Sequence, residues 1–425
     1  MQSVDDATRT NKLRRTVRRI IVANNLSALR RRGEDFPLTD VCGGHQPSSK
    51  NSANSSHEVL DQRLAKFISE KLLEKRCLAF QRGTCLNSNQ CFFCQKPSEM
   101  HEISEPSSAS AAYKYEPAKV FGRLKFAGRY ARTASFVRFA FDGNIETKDA
   151  PKNALTLLCD YWRAPKPEVV LSVIGGYHNI RMSKEMQRKI VIDSTNGWLI
   201  TTGNNSGIAE VIAKAVAERQ AMRLKNGDKG QIVCIGVAPW GNIEKRDEIE
   251  RAVCASEERI PRVIYGKTEA NSHTGHRARN FGVLKVRQSV LNADHTHFLL
   301  VDNGAQREYA EPAAIEFRAD LEKELTNNGA TVITVVIEGG PTTVEQAFAS
   351  VARGIPLIVL AGTGKVAKLI ATLKYCYDEC ENKDAFKSKA FDLAQQHFFP
   401  KGSHFGDTAR TWLNQSIWKL EEICK

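Results

Sequence analysis

Val169-Val170-Leu171-Ser172-Val173-Ile174-Gly175-Gly176 is a mostly β-branched apolar run that stops on two glycines. Five later runs repeat the pattern: Trp198–Thr202, Ile232–Ala238, His297–Val301, Val332–Ile337 and Leu357–Leu360. Each stops on a turn sequence: Gly203-Asn204-Asn205-Ser206-Gly207, Pro239-Trp240-Gly241, Asp302-Asn303-Gly304, Gly339-Gly340-Pro341 and Gly362-Thr363-Gly364. The runs are continuously apolar, as in strands covered on both faces. Helical patterns follow several of them, with Ile208, Val211, Ile212, Ala215 and Val216 on one stripe and Val366, Leu369, Ile370 and Leu373 on another. This alternation predicts an α/β fold with a doubly wound, mostly parallel sheet. In such a sheet the strand-to-helix loops emerge at one edge, so the glycine turns gather on a common rim, where a ligand is expected.

Around this body, 113–395, the chain reads as three further parts. Residues 1–56 are basic, then rich in Ser, Asn and Gly, and are expected to be mostly disordered. In 57–112, Leu60, Leu64, Phe67, Ile68 and Leu72 are spaced for a helix leading into a cysteine-bearing segment and a small-residue linker. Residues 396–425 read as a helical tail. The 425 residues are 42% hydrophobic and 26% charged, and no apolar run reaches the ~18–20 residues that cross a bilayer. This stretch of chain therefore holds no pore.

The net charge is +13, but nine basic against two acidic residues in 1–32 supply +7 of it. The body lacks the excess expected of a nucleic-acid-binding face, so no nucleic-acid partner is expected. Eleven cysteines without a bridging framework, and no secretory leader, point to a reducing, cytosolic setting. Leu13, Val17, Ile20 and Ile21 at helical spacing among arginines leave open a mitochondrial address or a membrane-surface helix, although Asp5 and Asp6 fit a transit peptide poorly.

Glycines at strand ends and the helix N-termini that follow them suit an anionic, phosphate-bearing ligand. The named nucleotide motifs are absent. Gly362-Thr363-Gly364-Lys365 is followed by Val366 where a P-loop needs Ser or Thr, and no G-x-G-x-x-G follows the first strand.

Leu171-Ser172-Val173-Ile174-Gly175-Gly176, Gly197-Trp198-Leu199-Ile200-Thr201-Thr202-Gly203, Ile235-Gly236-Val237-Ala238-Pro239-Trp240-Gly241, His295-Thr296-His297-Phe298-Leu299-Leu300-Val301-Asp302-Asn303-Gly304 and Val336-Ile337-Glu338-Gly339-Gly340-Pro341 carry a family resemblance. Together with Lys75-Arg76-Cys77, Gly122-Arg123-Leu124-Lys125-Phe126, Tyr161-Trp162 and Arg318-Ala319-Asp320-Leu321, they resemble in order the N-terminal homology regions of melastatin-type transient receptor potential (TRPM) cation channels. The resemblance covers roughly residues 57–375. It implies a Rossmann-like, nucleotide-sensing domain on the cytosolic side of a homotetrameric, calcium-permeable channel, with ADP-ribose as ligand in one branch and ATP in another. The partners it implies are the nucleotide and other channel subunits, with the membrane reached only through a channel region absent from this chain. It would place Gly175, Gly176 and Asn179 along the nucleotide, with Gly203, Asn204 and Ser206 beside it, Arg318 on the phosphates and Tyr309 as the binding tyrosine. Gly339, Gly340 and Gly364 complete the rim, and Lys365 stands where ADP-ribose-binding members have Arg, replacing a planar fork by a point charge.

The wider superfamily includes Lonely Guy-type phosphoribohydrolases, whose G-G-x-G-T-x-x-E loop supplies a catalytic carboxylate. Aligned on Gly339-Gly340, that glutamate falls on Gln346, and Glu345 is one position off, about 100° around a helix. A neutral amide is no acid or base at that place, so binding without catalysis and without a cofactor is expected, with a nucleoside-monophosphate phosphoribohydrolase as the alternative.

Cys85, Cys91, Cys94 and His101, with Cys77 as a further thiolate, are the residue types zinc takes, but there is no second C-x-x-C pair. Packed reduced thiols are the preferred reading, and no metal is expected. His295 and His297 share one side of a strand and are expected to be structural rather than ligating. Asp302 is expected to accept hydrogen bonds from the 339–341 backbone or from a ribose, and Trp240 to be either a base-stacking surface or a buried anchor.

Overall fold

A computed structural model of the chain describes residues 21–23, 51–80, 91, 94, 97–102, 112–127, 132–176, 197–228, 230–265, 289–305, 310–377, 379–380, 382–398 and 406–425. In chain order the elements are β1 (Ile21–Ala23), α1 (Asn51–Lys71), β2 (Leu73–Cys77), β3 (Tyr113–Pro117), β4 (Phe121–Phe126), β5 (Thr133–Ala140), α2 (Ala150–Thr156), β6 (Val169–Gly175), β7 (Gly197–Thr201), α3 (Gly207–Lys225), β8 (Val233–Pro239), α4 (Arg246–Cys254), β9 (Arg262–Tyr265), β10 (His297–Asp302), α5 (Glu311–Asn327), β11 (Thr331–Ile337), α6 (Pro341–Ala352), β12 (Leu357–Leu360), α7 (Lys365–Tyr377), α8 (Lys383–Phe398) and α9 (Gly406–Cys424). All six apolar runs are strands.

Ten strands make one sheet in the order β1-β12-β11-β6-β7-β8-β10-β5-β4-β9. Every neighbouring pair is parallel except β4 with β5. From β6 the chain steps one way through β7 and β8 to β10. It then returns past β6 to lay down β11 and β12 on the other side. Strand order therefore reverses between β6 and β11, and in open α/β sheets the crevice beyond the strand ends at such a reversal is where ligands bind.

The continuous apolar character of the strands follows from burial on both faces. Val170, Trp198 and Ile235 pack with Phe317 and Leu321 of α5 on one face. Leu171, Val173 and Leu199 pack with Ile208, Ile212 and Val216 of α3 on the other. Val344 of α6, Leu369 of α7, Phe386 of α8 and Leu420 of α9 form a further cluster with Ile174 and Val359, which ties the C-terminal helices to the sheet.

Two features depart from the sequence reading. The arm contributes a strand: Ile21–Ala23 pairs in parallel with Ile358–Leu360 at the sheet edge, and α1 begins at Asn51. A β-branched pair meeting the open ladder of an edge strand accounts for this, and it takes Ile21 out of any helical stripe. Leu13, Val17 and Ile20 lie outside the described residues. The sheet also continues into β4 and β9, where β4 alternates buried Gly122, Leu124 and Phe126 with exposed Arg123 and Lys125. No described helix is long and apolar enough to cross a membrane.

Candidate functional site

The crevice at the reversal is built from three loops. Gly175 ends β6 opposite Ile337 of β11, and the Gly176 N–H donates to the Ile337 carbonyl at 3.3 Å. A Cβ on Gly175 would lie 2.0 Å from that same oxygen, so only glycine permits this approach. Across the crevice the Glu338 N–H donates to Thr363 Oγ1 at 2.8 Å, and the Ala367 N–H of α7 donates to the Glu338 carbonyl at 2.9 Å. On its other side the Ile208 N–H of α3 donates to the Gly176 carbonyl at 3.0 Å. The loops after β6, β11 and β12 are thus tied together. The N-termini of α3, α6 and α7, with their partial positive charge, all begin here.

Gly339 has φ +96°, and a Cβ there would meet the Thr343 side chain at 2.6 Å, whereas a Cβ on Gly340, the N-cap of α6, would meet open space. Gly364, at φ +100°, leads into Lys365. Gly203 is explained by packing, because a Cβ there would lie 2.9 Å from the Gly236 Cα and 3.1 Å from the Phe298 ring. Asn204 is buried, and its Oδ1 has no hydrogen-bond partner among the described residues. Ser206 caps α3 with extended backbone and no side-chain hydrogen bond to it.

Two charged residues complete the crevice. Lys365 Nζ lies 3.0 Å from Glu338 Oε1. Both residues have positive φ, +43° and +58°, a conformation that non-glycine residues adopt at a cost. Glu338 Oε2 is buried without a hydrogen-bond partner among the described residues, and a Cβ on Gly176 would come within 2.5 Å of it. The crevice thus holds a carboxylate of the protein itself where helix N-termini and an ammonium group favour an anion.

Arg318 lies below this rim. Its side chain is 5% exposed and pairs at 3.1 Å with Glu322, which is 1% exposed. It also donates to the carbonyls of Val173 and Ile200 at 3.1 and 3.0 Å, and to the Ser172 hydroxyl. These bonds brace β6 against β7. The resemblance implies a phosphate contact; in this structure Nε and Nη2 of the guanidinium are taken up by these internal partners.

Asp302 stands at the other half of the edge. Strands β6, β7 and β8 separate β10 from β11, a distance of about 19 Å at ~4.8 Å per strand, so the 339–341 backbone is out of reach. Its partner is Arg138 of β5, whose Nε and Nη2 donate at 2.9 and 2.7 Å, while the Gly304 N–H donates to the other carboxylate oxygen at 2.9 Å. Burial opposes the charge of Arg138, but Asp302, Glu74 and Glu250 together hold it more firmly protonated than usual. Trp240 is a buried anchor beneath the guanidinium, 5.0 Å from ring centre to Arg138 Cζ. These groups line an open cleft of about 610 Å³ together with Glu74, Arg246, Glu250, Cys77, Cys94 and His101. Burial pushes the Glu74 carboxyl above its usual range.

His295 and His297 are buried in the core. His295 Nε2 lies 2.7 Å from Thr201 Oγ1, and His297 stacks on Trp162 with 5.3 Å between ring centres. Burial lowers both to about 4, so both rings are neutral at pH 7. Asn179, Tyr309 and Cys85 lie outside the described residues. Glu338, Thr363 and Arg138 escaped the sequence reading. Glu338 carried a usable signal, being a charged residue set directly between an apolar run and a pair of glycines.

Taken together, the fold and the crevice define a Rossmann-like α/β domain with a glycine-walled site at the strand-order reversal. Residues 134–407 match the family described as SLOG in TRPM, and the chain belongs to that family. It is 25% identical over 357 residues to transient receptor potential cation channel subfamily M member-like 2 of Nematostella vectensis, covering 78% of this chain and 21% of that relative. Over 363 residues it is 28% identical to subfamily M member 7 of Rattus norvegicus, covering 79% of this chain and 17% of that one. Human subfamily M member 6 is 25% identical over 320 residues, 71% of this chain and 14% of its own length. The chain thus spans about a fifth or less of the length of these relatives.

Proposed function

We propose that this chain is the cytosolic ligand-sensing and assembly region of a TRPM-like, calcium-permeable cation channel, and that it binds a nucleotide such as ADP-ribose or ATP without catalysis. One observation carries the reading: Gly175-Gly176 and Gly339-Gly340 meet at the reversal of strand order, with three helix N-termini and Lys365 around them. The phosphates lie at the N-termini of α6 and α7, where Gly340 leaves open space. Arg318 serves the site indirectly, by fixing β6 and β7 beneath it. In the full channel the region packs with its copies in a homotetramer, and nucleotide binding shifts gating only if it favours one channel state.

The lack of catalysis has its own support. Glu345, the carboxylate next in sequence to the phosphoribohydrolase position, is ion-paired to Lys419 of α9, and Gln346 is a buried amide. Isothermal titration with ADP-ribose and with ATP tests the reading. Micromolar binding of either, lost on Gly340→Val, is expected. No heat from either nucleotide with the folded chain removes the sensor reading and leaves assembly alone. Release of free base from AMP or CMP favours the phosphoribohydrolase instead.

A further inference from the structure

We propose that Cys77, Cys91, Cys94 and His101 form a structural zinc site that clips the cysteine-bearing segment to the end of β2 and shapes one wall of the 610 Å³ cleft. The four ligand atoms come from four separate places: the last residue of β2, the buried Cys91, a turn, and the residue after the short helix Ser98–Met100. All lie within 4.8 Å of one another. Cys77 Sγ and Cys91 Sγ are 3.9 Å apart, close to the edge of about 3.8 Å for a tetrahedron with Zn–S bonds of ~2.3 Å. Cys94 Sγ is 3.1 Å from His101 Nε2.

The histidine is set for a metal. His101 Nδ1 lies 3.0 Å from the Pro97 carbonyl, which only accepts, so Nδ1 carries the proton and Nε2 turns its lone pair to the thiols. The Phe80 ring stands edge-on to the imidazole at 5.4 Å and shields it. Three thiols and one imidazole are a closed, soft donor set that suits zinc rather than calcium or magnesium, with no position left for a catalytic water. Binding Zn²⁺ releases three thiol protons and leaves a site of net charge −1. The spacing of Cys85, Cys91, Cys94 and His101 suggested a cluster, but the described residues gather Cys77 with the last three.

This proposal is independent of nucleotide binding and is tested on the whole chain. After dialysis against metal-free buffer, elemental analysis is expected to find one zinc per chain. Cobalt added to the chelated protein is expected to give the visible bands of a tetrahedral ion with thiolate-to-metal charge transfer. Cys91→Ser and His101→Ala lose the ion, while Cys85→Ser and Cys159→Ser keep it. A folded wild-type chain without stoichiometric zinc, or a cobalt spectrum lacking the charge-transfer band, overturns the site. If Cys85→Ser loses the ion and Cys77→Ser retains it, the assigned ligand set is wrong. The cobalt spectrum of the wild-type chain decides the matter even if a variant does not fold.

Discussion

Two ion pairs stand near the strand-order reversal, and they are built in opposite ways. Arg318–Glu322 is sealed between α5 and the sheet, with Ser172, Thr334 and Ser350 closing the network around Glu322. Lys365–Glu338 lies in the crevice, with the lysine side chain 47% exposed and both residues in the left-handed backbone region. The same charges thus serve two ends. A sealed pair fixes strands because breaking it leaves an uncompensated buried charge, whereas an open pair is screened by water and can give way to an incoming anion.

The largest expected effect separates the two directly. Glu322→Ala leaves Arg318 buried without its carboxylate and should cost about 3–5 kcal/mol of stability. Glu338→Ala should cost less than about 1 kcal/mol, as for a partly exposed pair, and relief of a positive φ does not apply because alanine shares that strain. Urea unfolding of both variants decides it, and equal losses would erase the distinction between sealed and open pairs.

Acid should act on the sealed interior next. His295 and His297 titrate near 4 in the folded chain because burial excludes their charge, against about 6.5 when unfolded. Below pH 6.5 the unfolded chain takes up protons that the native one refuses, so stability falls as pH drops from about 6.5 to 4 and is unaffected by these rings above that window. The loss is at most about 3 kcal/mol per ring at pH 4. Urea midpoints across this window should drop for wild type and drop less for His297→Gln. A flat profile would mean that the imidazoles are solvated.

The strands were legible because burial on both faces writes itself as unbroken apolar runs, and all six are found. Their order was not. Nothing in Val332–Ile337 or His297–Val301 tells which one neighbours β6, since that depends on how crossovers pack, and so Asp302 was joined to the 339–341 backbone across three intervening strands. The resemblance puts Arg318 on the phosphates, and its depth between α5 and the sheet is not legible in the sequence. The parallel pairing of Ile21–Ala23 rests on a strand more than three hundred residues away, beyond any local pattern.

The smallest effect bears on the crevice itself. If a nucleotide phosphate takes the place favoured by the helix N-termini and Lys365, it must accept the Glu338 carboxylate as a neighbour. Glu338→Gln keeps the shape and removes that charge, so affinity for ADP-ribose or ATP should rise by about tenfold, about 1.4 kcal/mol, at low ionic strength. The gain should shrink in 0.5 M salt, where screening lengths fall to a few ångströms. Lys365→Ala should act in the opposite sense, because it removes the partner that both anions use. If titration instead shows weaker binding to the Glu338→Gln variant, the carboxylate accepts hydrogen bonds from ribose hydroxyls, and the phosphates lie elsewhere along the rim. Unchanged affinity in both variants would separate nucleotide binding from this crevice altogether and direct attention to the cleft around Arg138 and Trp240.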